Sequence, residues 1–252
     1  MKFRYVFIIF GGIIALCVGG VIARNAVAEA RLLRTLPQYA YEWNMEAGMS
    51  ALLVDGAAYY IVRSEESNLY PIEVEETPFG VKEGWTFRNR DYLHWVDATD
   101  KEWIFMNARL GLSGGLAFVY KREDAKIPVL EDVTVTSICL SDAHGLFPTQ
   151  AQQQHITALL EGVQAQAFAD TLLASEAIDY HLEPLQWAPE GFVDLYDNLQ
   201  LCCAEHPRMA FMYRLYENPE GQIVVQNLYD MSGFYVTLTD HYTTLIKEAL
   251  SQ

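Results

Sequence analysis

Met209-Ala-Phe-Met-Tyr-Arg-Leu-Tyr216 and Gln222-Ile-Val-Val-Gln-Asn-Leu-Tyr229 lie on either side of Asn218-Pro219-Glu220-Gly221. Aromatic and β-branched residues fill both arms, and the Pro and Gly between them suit a tight turn, so the stretch reads as an antiparallel hairpin. Downstream, Phe234, Val236 and Leu238 alternate as a third strand. Asp240 then caps a predicted helix with Tyr242, Leu245, Ile246, Ala249 and Leu250 on one stripe.

Upstream of the hairpin the periodicity changes. Thr149 with Gln152 three residues on is a capping-box pattern, and Ile156, Leu159, Leu160, Val163 and Ala167 follow at helical spacing up to about Ser175. Ile178, Tyr180 and Leu182 alternate with Asp179, His181 and Glu183 as a half-buried strand. Pro189 opens a second predicted helix, with Phe192, Leu195, Tyr196, Leu199 and Cys203 on its apolar stripe, ending before Pro207.

Further back the chain is β-rich. Ala58 to Arg63 and Leu69 to Glu75 read as a hairpin, with Pro71 pushing the second strand to an edge. Tyr92 to Val96, Glu102 to Leu110 and Leu116 to Lys121 form a predicted meander, and Val133 to Leu140 is a further β-branched run. Short strands at this spacing suggest a curled sheet or small sandwich. Tyr39 to Leu53 is aromatic and ambiguous, with a helix packed on the domain as one reading.

Tyr5 to Ala23 is uncharged and bounded by Arg4 and Arg24. A helix of that length falls just short of the ~30 Å hydrocarbon core of a bilayer. Its apolar residues cover every face, which argues against a helix buried in a soluble core. A cleaved signal peptide, with Ala26-Val27-Ala28 as its site, competes with an uncleaved anchor, and length and flanks favour the anchor. The helix is expected to continue to about Leu36 and to break at Pro37. The expected fold class is therefore α+β: an N-terminal transmembrane helix and juxtamembrane segment (1–36), an antiparallel β-rich region (37–148), and a mixed helix/β-meander C-terminal half (149–252). The expected location is a single-pass membrane protein with its domain outside the cytoplasm.

Of 17 basic residues, Lys2, Arg4, Arg24, Arg31 and Arg34 precede Pro37, against Glu29 alone of 33 acidic ones. From Pro37 onward the charge is thus 12 − 32 = −20. So acidic a surface repels phosphate backbones, which excludes nucleic acid as a partner and leaves a protein or carbohydrate partner beside the membrane contact through residues 5–23.

The chemistry-bearing patterns are sparse. Gly111-Leu112-Ser113-Gly114-Gly115 matches G-x-S-x-G, but a predicted strand rather than a helix follows it, so a hairpin turn accounts for the same residues. Asp179, His181 and Glu183 share one strand face and read as its wet side. Asp97, Asp100 and Glu102 gather in a turn without the glycine and spacing of a Ca²⁺ loop. Cys202 and His206, four apart on the predicted helix with Cys203 beside them, have the donor types of a zinc site or a nucleophile–base pair, yet the cysteines lie near the apolar stripe. Cys139 is within reach of a bridge to Cys202 or Cys203 in an oxidising compartment, but all three are expected to stay buried, unreactive thiols. Trp85, Trp95, Trp103 and Tyr92 form the densest aromatic group and are the candidate ligand-binding residues, since exposed rings stack on sugars or grip peptides. No metal or cofactor is expected. The expected function is a non-catalytic domain that binds a ligand or partner. The alternatives are a membrane-tethered hydrolase using Ser113 or Cys203, and a structural subunit of a membrane complex.

Overall fold

Strands are the predominant element among the described residues. The structure, a computed structural model, describes residues 24, 27, 31, 34–44, 49–63, 68–82, 89–110, 115–141, 156–180, 188–227 and 234–251. In chain order the elements are β1 (Gln38–Tyr39), β2 (Tyr41–Asn44), β3 (Met49–Val54), β4 (Ala57–Ile61), β5 (Leu69–Pro71), β6 (Gly80–Lys82), β7 (Asn89–Trp95), β8 (Trp103–Leu110), β9 (Gly115–Arg122), β10 (Val135–Ser141), β11 (Ile156–Glu161), α1 (Val163–Ala174), β12 (Ala177–Asp179), β13 (Val193–Cys203), β14 (Met209–Glu217), β15 (Ile223–Asn227), β16 (Phe234–Thr237) and α2 (Asp240–Leu250).

The first sheet runs β1-β6-β7-β8-β9-β4-β3-β2. Its two outermost strands are one piece of chain, since only Ala40 separates β1 from β2. Gln38 and Tyr39 pair in parallel with Val81 and Lys82, while Tyr41 to Asn44 pair with Leu52 to Met49. The sheet thereby curls into a small, nearly closed barrel. A Cβ on Gly80 would overlap the Tyr39 ring, so the seam needs glycine where β1 meets β6. The β3–β4 hairpin turns on Asp55 and Gly56, whose φ angles of 52° and 86° fit a two-residue turn with left-handed backbone at both positions. Leu52, Val54, Tyr59, Leu93, Trp95, Ile104, Met106 and Tyr120 fill the interior. There the Tyr41 and Tyr120 hydroxyls hydrogen-bond each other, each 3.9 Å from Met106 Sδ, and burial pushes both phenol pKa values up.

Trp103, Ile104, Phe105 and Met106 are all buried on one strand. Side chains alternate across a strand, so β8 must separate two apolar regions. Ile104 and Met106 point into the barrel; Trp103 and Phe105 point outward into a larger core.

That larger core lies against the second sheet, antiparallel throughout, in the order β11-β10-β13-β14-β15-β16-β12. Ile138, Leu140, Leu199, Leu201, Phe211, Leu215 and Val225 line its inner face. Phe168 and Leu172 of α1 and Ile246 of α2 enter the same core, and the Phe168 and Tyr242 rings meet edge-on at 4.6 Å. Each fully buried side chain of this size contributes about 1.5–3 kcal/mol relative to exposure. The barrel half also supplies β5, which pairs with Met209 to Phe211 of β14. Arg208 clamps the junction: its guanidinium donates to Glu75 Oε1 at 2.5 Å and to the Val96 carbonyl at 3.0 Å.

The α+β expectation is overturned. Sixteen strands and two α-helices with defined bounds are present among the described residues. The described residues of Tyr39 to Leu53 lie in β1 to β3 rather than in a helix. The helix expected from Thr149 is a strand, β11, followed by a shorter helix. Gly162, at a φ of 54°, interrupts the chain between them, and Thr149 and Gln152 lie outside the described residues. The helix expected from Pro189 is the 11-residue strand β13. Ala58 to Arg63 and Leu69 to Glu75 do not pair with each other: β4 joins β3 and β9, and β5 joins β14. The single-pass membrane expectation, with its extracytoplasmic domain, is likewise corrected, because among the described residues no helix is long and apolar enough to cross a membrane. Tyr5 to Ala23, on which it rested, lies outside the described residues. Arg24, Val27, Arg31, Arg34 and Thr35 are helical, and the helix has ended by Pro37.

Candidate functional site

Pairing of β10 with β13 sets Ser141 opposite Asn198, Cys139 opposite Gln200 and Ser137 opposite Cys202. On the other flank of β13, Asn198 faces Arg214 and Gln200 faces Met212, and Arg214 in turn faces Gln226 of β15. Leu199, Leu201 and Cys203 point into the core, so these residues occupy the outer face of the sheet. An antiparallel sheet packed on one side ordinarily shows such a face to water. Here its centre is dry: Ser141 is 0% exposed, Gln200 1%, Asn198 4% and Gln226 5%. Ser137, Cys139 and Cys202, at one end, are half-buried. The face therefore grades from a partly open rim to a closed polar interior.

Ser141 Oγ, Asn198 Nδ2 and Gln200 Nε2 are buried there without a hydrogen-bond partner. Each such group costs about 1–3 kcal/mol, and folded proteins contain few of them. Three at adjacent ladder positions, two carboxamides and a hydroxyl, form a polar cradle. At the far side Arg214 is ion-paired with Asp194, its guanidinium 5.6 Å from the centre of the Tyr216 ring.

At the rim, the Cys139 and Cys202 thiols hydrogen-bond each other, and Ser137 hydrogen-bonds both. The neighbouring Cys202 thiol and burial raise the pKa of Cys139. Acceptance of the Cys139 and Ser137 hydrogen bonds pulls Cys202 down to about 7. Cys203, one residue on, faces the opposite way at 1% exposure, with Sγ 3.9 Å from the His206 carbonyl, and burial raises its pKa. Among the described residues the three cysteines are free. Cys203 is buried as expected from the sequence, whereas Cys202 is only half-buried.

The aromatic group read from the sequence is divided by the sheet. Trp95 is inside the barrel, stacked on Phe79 at 4.1 Å with Lys101 Nζ 5.4 Å from its ring centre. Trp103, 2% exposed, is on the opposite face in the larger core, edge-on to His206 at 6.5 Å. Tyr92 is half-buried on β7, one residue from the interior-facing Leu93. Trp85 and Ser113 lie outside the described residues. So do His181 and Glu183, while Asp179 is exposed. Asp97 and Asp100 accept from the backbone N–H of Thr99 and Glu102, at 2.8 and 3.0 Å, and Glu102 is paired with Arg122. Among the described residues no three metal-ligating side chains gather. Cys202 and His206 are not one helical turn apart, because β13 carries the cysteines to opposite faces.

The chain matches no protein-family model, no curated protein and no solved structure. The Ser141–Asn198–Gln200 cradle escaped the sequence reading. Its available signal was the alternation Asn198-Leu199-Gln200-Leu201, two carboxamides interleaved with two leucines at strand spacing.

Proposed function

We propose that the protein is a non-catalytic binding domain that takes a small, neutral, polyhydroxylated ligand, carbohydrate in class, on the polar face of the second sheet. The observation that carries the reading is the trio of buried, unpartnered polar atoms on Ser141, Asn198 and Gln200. Sugar hydroxyls donate and accept at once, which suits carboxamides and a serine hydroxyl. The charge of −20 from Pro37 onward lowers the local concentration of anions and so disfavours carboxylate or phosphate ligands.

Thermal unfolding in the presence of a panel of mono- and disaccharides tests this. At least one sugar raises the midpoint in a concentration-dependent way, as ligand linkage requires. The near-isosteric double variant Asn198→Leu/Gln200→Met removes two unpaired groups, so its own midpoint is unchanged or higher while the sugar response disappears. A wild-type protein indifferent to the whole panel overturns the reading, and a gain in stability by the double variant would then assign the amides to structure alone.

A further inference from the structure

We propose that Cys139 and Cys202 are a thiol–disulfide switch that closes across β10 and β13 at the rim of the polar face. The two side chains share one face of adjacent strands at diagonal positions of the ladder, since Cys139 pairs with Gln200 and Cys202 with Ser137, and each thiol shifts the titration of the other. Both are accessible in part, unlike Cys203, which the alternation of β13 turns into the core. A disulfide needs Cα atoms about 4.4–6.8 Å apart, closer than a diagonal pair ordinarily sits. The register of β10 slips on both sides of the site, between Val135 and Ser137 against β13 and between Ile138 and Cys139 against β11. Irregularities of this kind bend a strand and leave it room to draw in.

The chemistry balances with a low-molecular-weight disulfide as oxidant, taken here as oxidised glutathione. Cys202, as thiolate, attacks one glutathione sulfur; the glutathione S–S bond breaks and one glutathione thiolate leaves and takes up a proton. Cys139 loses its proton to solvent and attacks the Cys202 sulfur, expelling the second glutathione. Two protein thiols surrender two electrons, and one glutathione disulfide becomes two glutathione thiols. The low thiol pKa of Cys202 makes it the attacking group and leaves Cys139 to resolve.

The inference is independent of the carbohydrate reading and is tested without sugar present. The full chain is equilibrated in glutathione buffers of rising oxidised fraction, acid-quenched, and read by mass spectrometry of non-reduced digests. The expected result is a Cys139–Cys202 linked peptide that appears with oxidation and vanishes on return to reduced glutathione. Cys139→Ser accumulates a glutathione adduct on Cys202 instead, and Cys203→Ser leaves the bridge unchanged. In the reduced native protein at pH 7, Cys202 alkylates roughly tenfold or more faster than Cys203. A persistent glutathione adduct on wild-type Cys202, a bridge that uses Cys203, or survival of both thiols in fully oxidised buffer each overturns the proposal. The wild-type linked peptide decides the matter even where a variant fails to fold.

Discussion

His94 is half-buried on β7, on the side facing the second sheet, and its Nδ1–H donates to the Glu75 carbonyl at 2.9 Å. Burial opposes the imidazolium more strongly than that bond favours it, so the folded pKa lies below the ordinary 6.5. Between that lowered value and about 6.5 the unfolded chain binds a proton that the native chain refuses. Stability is therefore complete above pH 6.5 and declines as the pH falls through this window. Urea unfolding from pH 7.5 to 5 shows the decline, and His94→Gln, which keeps a donor without titrating, makes it shallower. An identical slope in the variant would assign the acid sensitivity elsewhere. At this scale the sequence was a partial guide. It placed Trp95 and Trp103 on strands of a meander, but gave one aromatic cluster where there are two, because the loop between β7 and β8 puts Trp95 in register with Ile104 rather than with Trp103.

Among the elements, those of the C-terminal half show what periodicity can and cannot decide. The hairpin of β14 and β15, the strand β16 and helix α2 were legible because local turn chemistry and pattern agreed: Asn218 receives the Gln222 N–H on its side chain at 2.8 Å, and Thr243 and Ile246 face inward from α2. β13 was not legible. Leu195, Leu199 and Cys203 are four apart, and residues four apart lie on one side of a strand as well as of a helix. The deciding residues were Asn198 and Gln200, whose burial no hydropathy pattern anticipates. Asp55-Gly56, between two apolar runs, was a hairpin signal that the aromatic content around it obscured. One contact ties an expected element to its neighbour: the Thr243 hydroxyl accepts the Ile223 N–H at 3.2 Å. Thr243→Val keeps the shape and orphans that N–H, a loss of about 1–3 kcal/mol in urea unfolding, while Thr243→Ser keeps most of the stability. Equal losses in the two variants would show that the methyl group, not the hydroxyl, matters there.

For the whole molecule, the core shared by both sheets decides how it unfolds. Trp103, Phe105 and Val119 of the barrel lie in one apolar cluster with Ile138, Leu199 and Phe211 of the second sheet, and β5 crosses from one half to pair in the other. Two strands of the second sheet, β5 and β10, precede residue 148. Calorimetry should therefore record a single transition with matching calorimetric and van't Hoff enthalpies. A fragment of residues 149–252, lacking both strands and the barrel's outer face, should not fold. Two resolved transitions, or a cooperatively folded fragment, would show the halves to be separable. The sequence shows no Pro/Ser/Gly-rich linker between them.

The barrel seam also has a mechanical meaning. Closure rests on residues 38–44, and on one side of the seam only Gln38 and Tyr39 are laddered to β6 among the described residues, against four residues of β2 laddered to β3. Tension arriving from the preceding helical residues Arg34 and Thr35 would reach that two-residue parallel ladder before any other part of the sheet. A two-residue joint of the barrel is thus the first to bear load, and it can part while β3, β4 and β7 to β9 keep their own pairings. A pull on the leading segment becomes an opening of the barrel wall beside Tyr39 and Phe79, rather than an unfolding of the chain.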